Sequence, residues 1–152
     1  MPMKRAIEIS KIKMNGNEGG PFGAVIVKDG KVIAEGWNKV TSSNDPTAHA
    51  EVEAIRTAAR VLGDFNLSGC EIYTSCEPCP MCLGAIYWAR LDKIHFANTR
   101  KDAADIKFDD EFLYTEIGKS IEERSIPMVQ IDRELAQEVF KAWAEKSDKI
   151  EY

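Results

Sequence analysis

The chain lacks several features that would mark it as secreted, membrane-bound or strongly cationic. We interpret its start, Met1-Pro2-Met3-Lys4-Arg5, as leading into a charged amphipathic stretch and not as a signal peptide, and no apolar run approaches the roughly 20 residues of a membrane span. Its 20 basic residues are outnumbered by 25 acidic ones, and a net charge of −5 argues against a broad phosphate-binding surface. We expect a cytoplasmic protein with a small substrate, whose 4 cysteines are metal ligands or buried thiols.

Nothing in the chain indicates a division into domains. It has no internal repeat, no low-complexity segment and no evident linker, and 152 residues suit one domain with a substantial core. We therefore expect a single domain over residues 1–152.

The spacing of apolar residues predicts strands that alternate with helices. Asp29-Gly30, between two apolar runs, is typical of a tight hairpin turn. Such alternation implies a layered α/β sandwich. The predicted strands cover 22–27, 32–34, 71–74, 93–97 and 126–130. Three helices are predicted. The first carries His49 and Glu51 in its first turn and stops at Gly63, and the second begins at Pro78 and is buried on nearly all sides. The third is a closing helix over 135–143.

Two short motifs carry the candidate chemistry. The first is H-x-E at His49 and Glu51, and the second is P-C-x-x-C, with Cys79 and Cys82. One imidazole and two thiolates suit a zinc ion and leave its fourth position open for water. Glu51, which is not a ligand in this arrangement, could move protons. Together the two motifs are the signature of zinc-dependent nucleobase deaminases.

The positions of these residues on their helices predict where the site lies. Cys79 and Cys82 are three apart and so are neighbours in a first helical turn, where free amides and the helix dipole stabilise thiolates. His49 and Glu51 are two apart, which on a regular helix separates them by about 200°. They can converge only at the end of a helix, so the site should lie in front of both helix N-termini.

Other cysteines and the second histidine allow different interpretations. Cys76 could join His49, Cys79 and Cys82 as a fourth ligand, which would close a structural zinc site to water. We disfavour this because Cys76 precedes a Glu-Pro pair and is expected in the loop before the helix. Cys70 is interpreted as a loop or strand-edge thiol, and His95 as a packed or hydrogen-bonded histidine in a strand.

Residues 44–51 and 74–85, which contain both motifs, resemble the cytidine deaminase superfamily. Within it the chain is most similar to the bacterial guanine deaminases, from residues 19–24 through 108–110 to the end. The resemblance implies a three-layer α/β/α sandwich with a central five-stranded mixed sheet. It also implies one zinc ion per subunit and the hydrolytic deamination of guanine to xanthine and ammonia.

The same resemblance assigns roles to individual residues. It implies that His49, Cys79 and Cys82 bind zinc, that Glu51 moves protons, and that Asp110 is a possible second proton carrier. From the residues alone, Phe22 and Trp88 would be core side chains, and Asp110 would belong to a solvated acidic run. The implied contacts to the base come from Phe22, Asn38, Ala50, Trp88, Asp110 and Tyr152.

The C-terminal tail is also interpreted in two ways. By composition, residues 146–152 predict a frayed terminus. The resemblance instead implies a homodimer in which the segment from about residue 127 to residue 152 is exchanged, so that Tyr152 reaches over the partner's site.

Two other functions compete with guanine deamination. The run at residues 45–51 also resembles tRNA adenosine deaminases, and related sequences act on cytosine; the acidic balance of the chain disfavours a tRNA substrate. A noncatalytic, zinc-stabilised binding module is the alternative from a different class.

Overall fold

The computed structural model describes residues 1–152, which form two compact units, Met1–Glu111 and Phe112–Tyr152. The strands all lie in the first unit: β1 (Gly23–Lys28), β2 (Lys31–Trp37), β3 (Cys70–Cys76) and β4 (Lys93–Asn98). They form one sheet in the order β2-β1-β3-β4. β1 pairs antiparallel with β2 and β3, whereas β3 and β4 are parallel, so the sheet is mixed. The expectation of a single domain over the whole chain stays a prediction.

Helices cover both faces of this sheet. Along β1, alternate side chains point to opposite faces, as the pleat of a strand requires. Val25 and Val27 pack with Ala6 and Ile9 in one cluster, and Ala24 and Ile26 belong to the other. The fold is therefore the predicted layered α/β sandwich. The helices of the first unit are α1 (Pro2–Asn15), α2 (Val40–Ser43), α3 (Ala50–Leu62), α4 (Pro80–Trp88) and α5 (Arg100–Asp105).

The predicted hairpin and the predicted helix after it are confirmed. β1 and β2 are joined at Asp29 and Gly30, whose φ angles of 50° and 73° are those of a tight turn between antiparallel strands. α3 ends at Gly63, which adopts the left-handed conformation with φ 67°. The strands predicted around residues 71–74 and 93–97 are also present, as β3 and β4.

The fifth predicted strand, over residues 126–130, is wrong, and the sheet has four strands. Ile126, Met128 and Val129 are exposed in an irregular segment. Pro127 has no N–H to donate to a ladder, and the second unit contains no strand with which the segment could pair. Its β-branched composition alone does not make a strand.

The helix predicted to begin at Pro78 begins two residues later. Cys79 has an extended backbone and is the N-cap of α4, so Pro80 occupies the first helical position, where its missing N–H has no cost. The expectation that this helix is buried on nearly all sides is also wrong. Cys82 and Ile86 are buried, but Tyr87 is 76% exposed and Trp88 is 70% exposed.

The second unit consists of helices and irregular segments. It contains most of α6 (Glu111–Gly118), a single 3-10 turn at Ile121–Glu123, and α7 (Arg133–Glu145), which confirms the predicted closing helix. Leu135, Val139 and Phe140 are 64%, 66% and 69% exposed, so α7 presents apolar side chains that this chain does not cover. No helix in either unit is long and apolar enough to cross a membrane.

Direct backbone contact sets the distance between α3 and the sheet. A Cβ atom on Gly36, in β2, would lie 2.2 Å from the carbonyl oxygen of Ala50 and 2.4 Å from the amide nitrogen of Ala54. Ala50, Ala54 and Ala58 are fully buried on the facing side of α3. Only glycine opposite such small side chains allows the helix this close.

Gly36→Ala should therefore destabilise the protein. We expect the free energy of unfolding to fall by about 1–3 kcal/mol, the usual cost of overpacking a core. Gly84→Ala is the matched control, because a Cβ at Gly84 meets nothing within 4 Å and alanine is the better helix former. Denaturant unfolding of both variants gives the comparison, and equal stability of the two would contradict the close-approach argument.

Candidate metal and active site

The two helices that carry the sequence motifs begin at the same place. His49 is the N-cap of α3 and Cys79 is the N-cap of α4, and both have extended backbone conformations. Because His49 lies outside the helix proper, its side chain and that of Glu51 do not diverge as they would on a regular helix. The prediction that the site lies in front of two helix N-termini is confirmed.

Three potential ligand atoms lie together at this point. The Nδ1 atom of His49 is 3.6 Å from Sγ of Cys79 and 3.5 Å from Sγ of Cys82. All three atoms are within 4.8 Å of one another, so the residues could hold a metal ion. In tetrahedral zinc sites, bonds of about 2.3 Å to sulfur and about 2.0 Å to nitrogen place the two ligand atoms roughly 3.5 Å apart. The observed spacing fits zinc.

The protonation of the ligands is set by their mutual contacts. Hydrogen bonding from Cys82 and His49 lowers the pKa of Cys79 to about 4, so Cys79 is a thiolate at neutral pH. That thiolate raises the pKa of His49 and, together with burial, raises the pKa of Cys82. The site already contains one thiolate, and a divalent cation would stabilise a second.

Glu51 lies beside the ligands and is almost completely buried, with 6% of its surface exposed. Its Oε1 atom accepts a hydrogen bond of 3.0 Å from the hydroxyl of Thr74, and its Oε2 atom is 3.4 Å from Sγ of Cys82. Burial raises the pKa of the Glu51 carboxyl. A buried carboxyl next to a metal site is suited to carry a proton during a reaction.

Cys76 does not belong to the group of potential ligands. It ends strand β3 and does not lie in a loop as expected, and its Sγ atom contacts the carbonyl oxygen of Thr99 at 3.6 Å. Burial raises the pKa of Cys76 to about 11, so its thiol is neutral. The geometry favours three protein ligands and an open site.

Cys70 and His95 also lie apart from the ligands. Cys70 is the first residue of β3 and is fully buried. His95 stacks on Tyr73 with ring centroids 4.1 Å apart, and its Nε2 atom is 2.7 Å from a carboxylate oxygen of Glu71. The interpretation of His95 as a packed, hydrogen-bonded residue is confirmed.

Asn38, predicted to contact a base, is held by the backbone around it. Its Oδ1 atom accepts hydrogen bonds from the amides of Gly20 at 3.1 Å and Val40 at 3.2 Å. Two N–H donors identify this atom as the oxygen, so the amide NH₂ group of Asn38 is what remains for another partner. Phe22 is half-buried, and its ring meets that of Phe108 edge to face, with centroids 4.9 Å apart.

The other predicted base contacts have different settings. Ala50 is the first residue of α3 and is fully buried, so its backbone amide is one of those that lack an intrahelical acceptor. Asp110 is half-buried; burial and the Cys79 thiolate raise its pKa. Trp88 is exposed at the end of α4, and Tyr152 is exposed in the second unit.

Thr74 is the site residue that the sequence reasoning missed. The apolar spacing predicts a strand at this position, and a threonine in a strand is ordinarily a packing residue. The available signal was its position in β3, five residues before Cys79. Only the packing of β3 beside α3 shows that its hydroxyl meets Glu51.

Comparison with known proteins gives consistent matches. The family model of the cytidine and deoxycytidylate deaminase zinc-binding region matches residues 2–98. Guanine deaminase of Bacillus subtilis (strain 168) is 56% identical over 150 residues, which cover 99% of this chain and 96% of that protein. A solved structure of guanine deaminase from Bacillus subtilis matches with a TM-score of 0.97 at 56% identity, again over 99% of this chain and 96% of the other.

Two further matches cover less of the chain. A tRNA-specific adenosine deaminase of Aquifex aeolicus (strain VF5) is 43% identical over 94 residues, 62% of this chain and 57% of that protein. A solved protein in complex with 2,6-diaminopurine is 34% identical, with a TM-score of 0.69, over 72% of this chain and 61% of that one. The likeness to the guanine deaminase of Bacillus subtilis therefore extends through the second unit.

The separation of Cys76 from the ligands generates a prediction about metal content. The Cys76→Ser variant should bind as much zinc per chain as the wild-type protein, because the neutral thiol of Cys76 faces a carbonyl group and not the metal site. Cys82→Ser, the matched variant within the ligand group, should lose most of it. Atomic emission analysis of the purified proteins makes the measurement. An equal loss in both variants would mean that Cys76 is a fourth ligand.

Proposed function

The chain belongs to the cytidine and deoxycytidylate deaminase zinc-binding family, and we infer that it catalyses the hydrolytic deamination of guanine to xanthine and ammonia. One observation carries this inference. The buried carboxylate of Glu51 lies 3.4 Å from Cys82 in a group whose ligand atoms are spaced for zinc. The guanine deaminase of Bacillus subtilis is 56% identical to the chain that carries this group, over 96% of its own length.

We propose one zinc ion per subunit, held by His49, Cys79 and Cys82. When bound, such an ion acts as a Lewis acid and lowers the pKa of water toward about 7. The chain's own contribution is to move the proton. Glu51 accepts a proton from the attacking water and transfers it toward the departing amino group. A carbon–oxygen bond forms at carbon 2 of guanine, the carbon–nitrogen bond breaks, and ammonia leaves.

Asn38 supplies a physical reason for preferring guanine over adenine. Because both backbone amides bind its Oδ1 atom, Asn38 offers only N–H donors to a base. Guanine presents oxygen and ring-nitrogen acceptors along one edge, whereas adenine places an amino donor where guanine has its oxygen. A donor fixed by two hydrogen bonds therefore favours the oxopurine.

The remaining base contacts are proposed from the settings of the side chains. Phe22, whose ring packs edge to face against Phe108, contacts one side of the base with its ring, and the exposed ring of Trp88 provides a second aromatic contact. Ala50 offers its backbone amide. Asp110, whose pKa is raised by burial, can hold a proton and act as the second carrier beside Glu51. We also propose that the protein acts in the cytoplasm, where its four free thiols would remain reduced.

Substrate choice is tested by measuring ammonia release from a panel of bases. We expect guanine to be deaminated, and free adenine, cytosine and an adenosine-containing tRNA anticodon loop to be poor substrates. Glu51→Gln should retain zinc and lose about 10²- to 10⁴-fold in kcat, because it can no longer carry a proton. Preferential deamination of the anticodon loop would support the tRNA enzyme instead. Zinc retention without deamination of any base would indicate a binding module.

We further propose a homodimer in which the segment from about residue 127 to residue 152 is exchanged, so that Tyr152 closes the partner's site. The exposed apolar side chains of α7 support this, because Leu135, Val139 and Phe140 form a surface that a second subunit would bury. The proposal places residues from two chains in each active site.

Mixed dimers test the exchange. A Glu51→Gln subunit paired with a subunit lacking Tyr152 contains one site in which both residues are intact. Random pairing of the two inactive forms should then restore about one quarter of the wild-type activity, because half of the dimers are mixed and each has one complete site. Activity no higher than that of the two separate homodimers would contradict exchange of Tyr152.

A further inference from the structure

Thr74 is fixed in the centre of the sheet, directly beside the proton carrier. Thr74 is paired with Ala24 on β1 and with Phe96 on β4, so a neighbouring strand flanks its backbone on each side. Its side chain is almost fully buried, and its hydroxyl donates a 3.0 Å hydrogen bond to Oε1 of Glu51. A residue held this firmly can define the position of the group that it contacts.

The two oxygens of the Glu51 carboxylate have different partners. Oε1 faces Thr74, whereas Oε2 faces Sγ of Cys82 at 3.4 Å. Cys82 must be a thiolate in order to bind a metal, and a thiolate has no proton to donate. The Thr74 hydroxyl keeps its proton whether or not a metal is bound, so it remains a donor to Glu51 in both situations.

We propose that Thr74 is a positioning residue that determines which oxygen of Glu51 transfers the proton. By holding Oε1, the hydroxyl leaves Oε2 to accept the proton of the attacking water and to pass it to the departing amino group. Thr74 itself neither gains nor loses a proton. The inference rests on the proposed function only in taking Glu51 as the proton carrier of a deaminase.

Two substitutions separate positioning from packing. Thr74→Val keeps the shape of the side chain and removes the hydroxyl, whereas Thr74→Ser keeps the hydroxyl and removes a methyl group. If Thr74 positions Glu51, Thr74→Val should lower kcat by about 10- to 100-fold, the effect of one lost hydrogen bond to a carboxylate, with KM changed little. Thr74→Ser should retain kcat within about threefold, even though its smaller side chain lowers Tm.

Ser75→Ala is the matched control on the same strand. Ser75 is also buried, but its hydroxyl accepts a 3.0 Å hydrogen bond from the amide of Gly23 and does not contact Glu51. This variant should lower Tm and leave kcat within about twofold. Thr74 would be a packing residue if Thr74→Val retained kcat, if Thr74→Ser lost as much kcat as Thr74→Val, or if Ser75→Ala matched that loss.

Zinc content and substrate choice complete the test. A fall in bound zinc in Thr74→Val that accounted for its lost activity would overturn the proposal, because Thr74 would then support the metal site and not the carboxylate. The variants are assayed on whichever base of the panel the wild-type protein deaminates fastest. Failure on guanine would thus reject the proposed substrate, while the comparison of the Thr74 variants still decides the role of Thr74.

Discussion

The direct backbone contact between α3 and β2 at Gly36 is the constraint on which the candidate site depends. Ala50, whose carbonyl oxygen lies 2.2 Å from where a Cβ on Gly36 would be, stands between His49 and Glu51 in the chain. The contact therefore sets the position of both residues relative to the sheet. β3 lies two strands away from β2 in the same sheet, and it supplies Thr74 and leads into the cysteine motif. A small shift of α3 relative to the sheet would separate the imidazole of His49 from the two cysteine thiols, and the carboxylate of Glu51 from the hydroxyl of Thr74.

The same packing buries several acidic groups together, and a metal ion would stabilise their charged forms. The acidic groups of Glu51 and Cys79 both lie within hydrogen-bonding range of the Cys82 thiol, and burial disfavours the charged form of all three. A hydrogen bond from the Cys82 thiol, with further hydrogen bonds from His49 and from the backbone of α4, stabilises one thiolate, at Cys79. A divalent cation would add the charge needed for the second. The arrangement is poorly explained as a purely structural cluster of side chains.

Features of the fold that depend on local interactions could be predicted from the sequence, whereas those that depend on distant partners could not. The hairpin at Asp29-Gly30 and the end of α3 at Gly63 depend on local backbone conformation, and both were predicted correctly. The segment at 126–130 has the composition of a strand, but a strand also needs a neighbour, and Pro127 weakens its pairing further. Pro78 and Pro80 are equally acceptable as helix starts from sequence alone. The conformation of Cys79 decides between them, and it makes Cys79 an N-cap, with its thiol directed to His49.

By itself, the sequence determined the candidate donor set and the reaction class, because His49, Glu51, Cys79 and Cys82 have side chains and spacings that few other chemistries require. Tertiary structure decided what each neighbouring group does. Cys76 and Cys79 are chemically identical thiols three residues apart. At the end of β3 the thiol of Cys76 faces the backbone carbonyl of Thr99, whereas at the start of α4 the thiol of Cys79 faces His49. The roles proposed for Thr74 and Asn38 likewise depend on hydrogen bonds to partners 23 and 18 residues away. Spacing along a chain reports the identity of donors, but only packing brings distant backbone segments close enough to orient them.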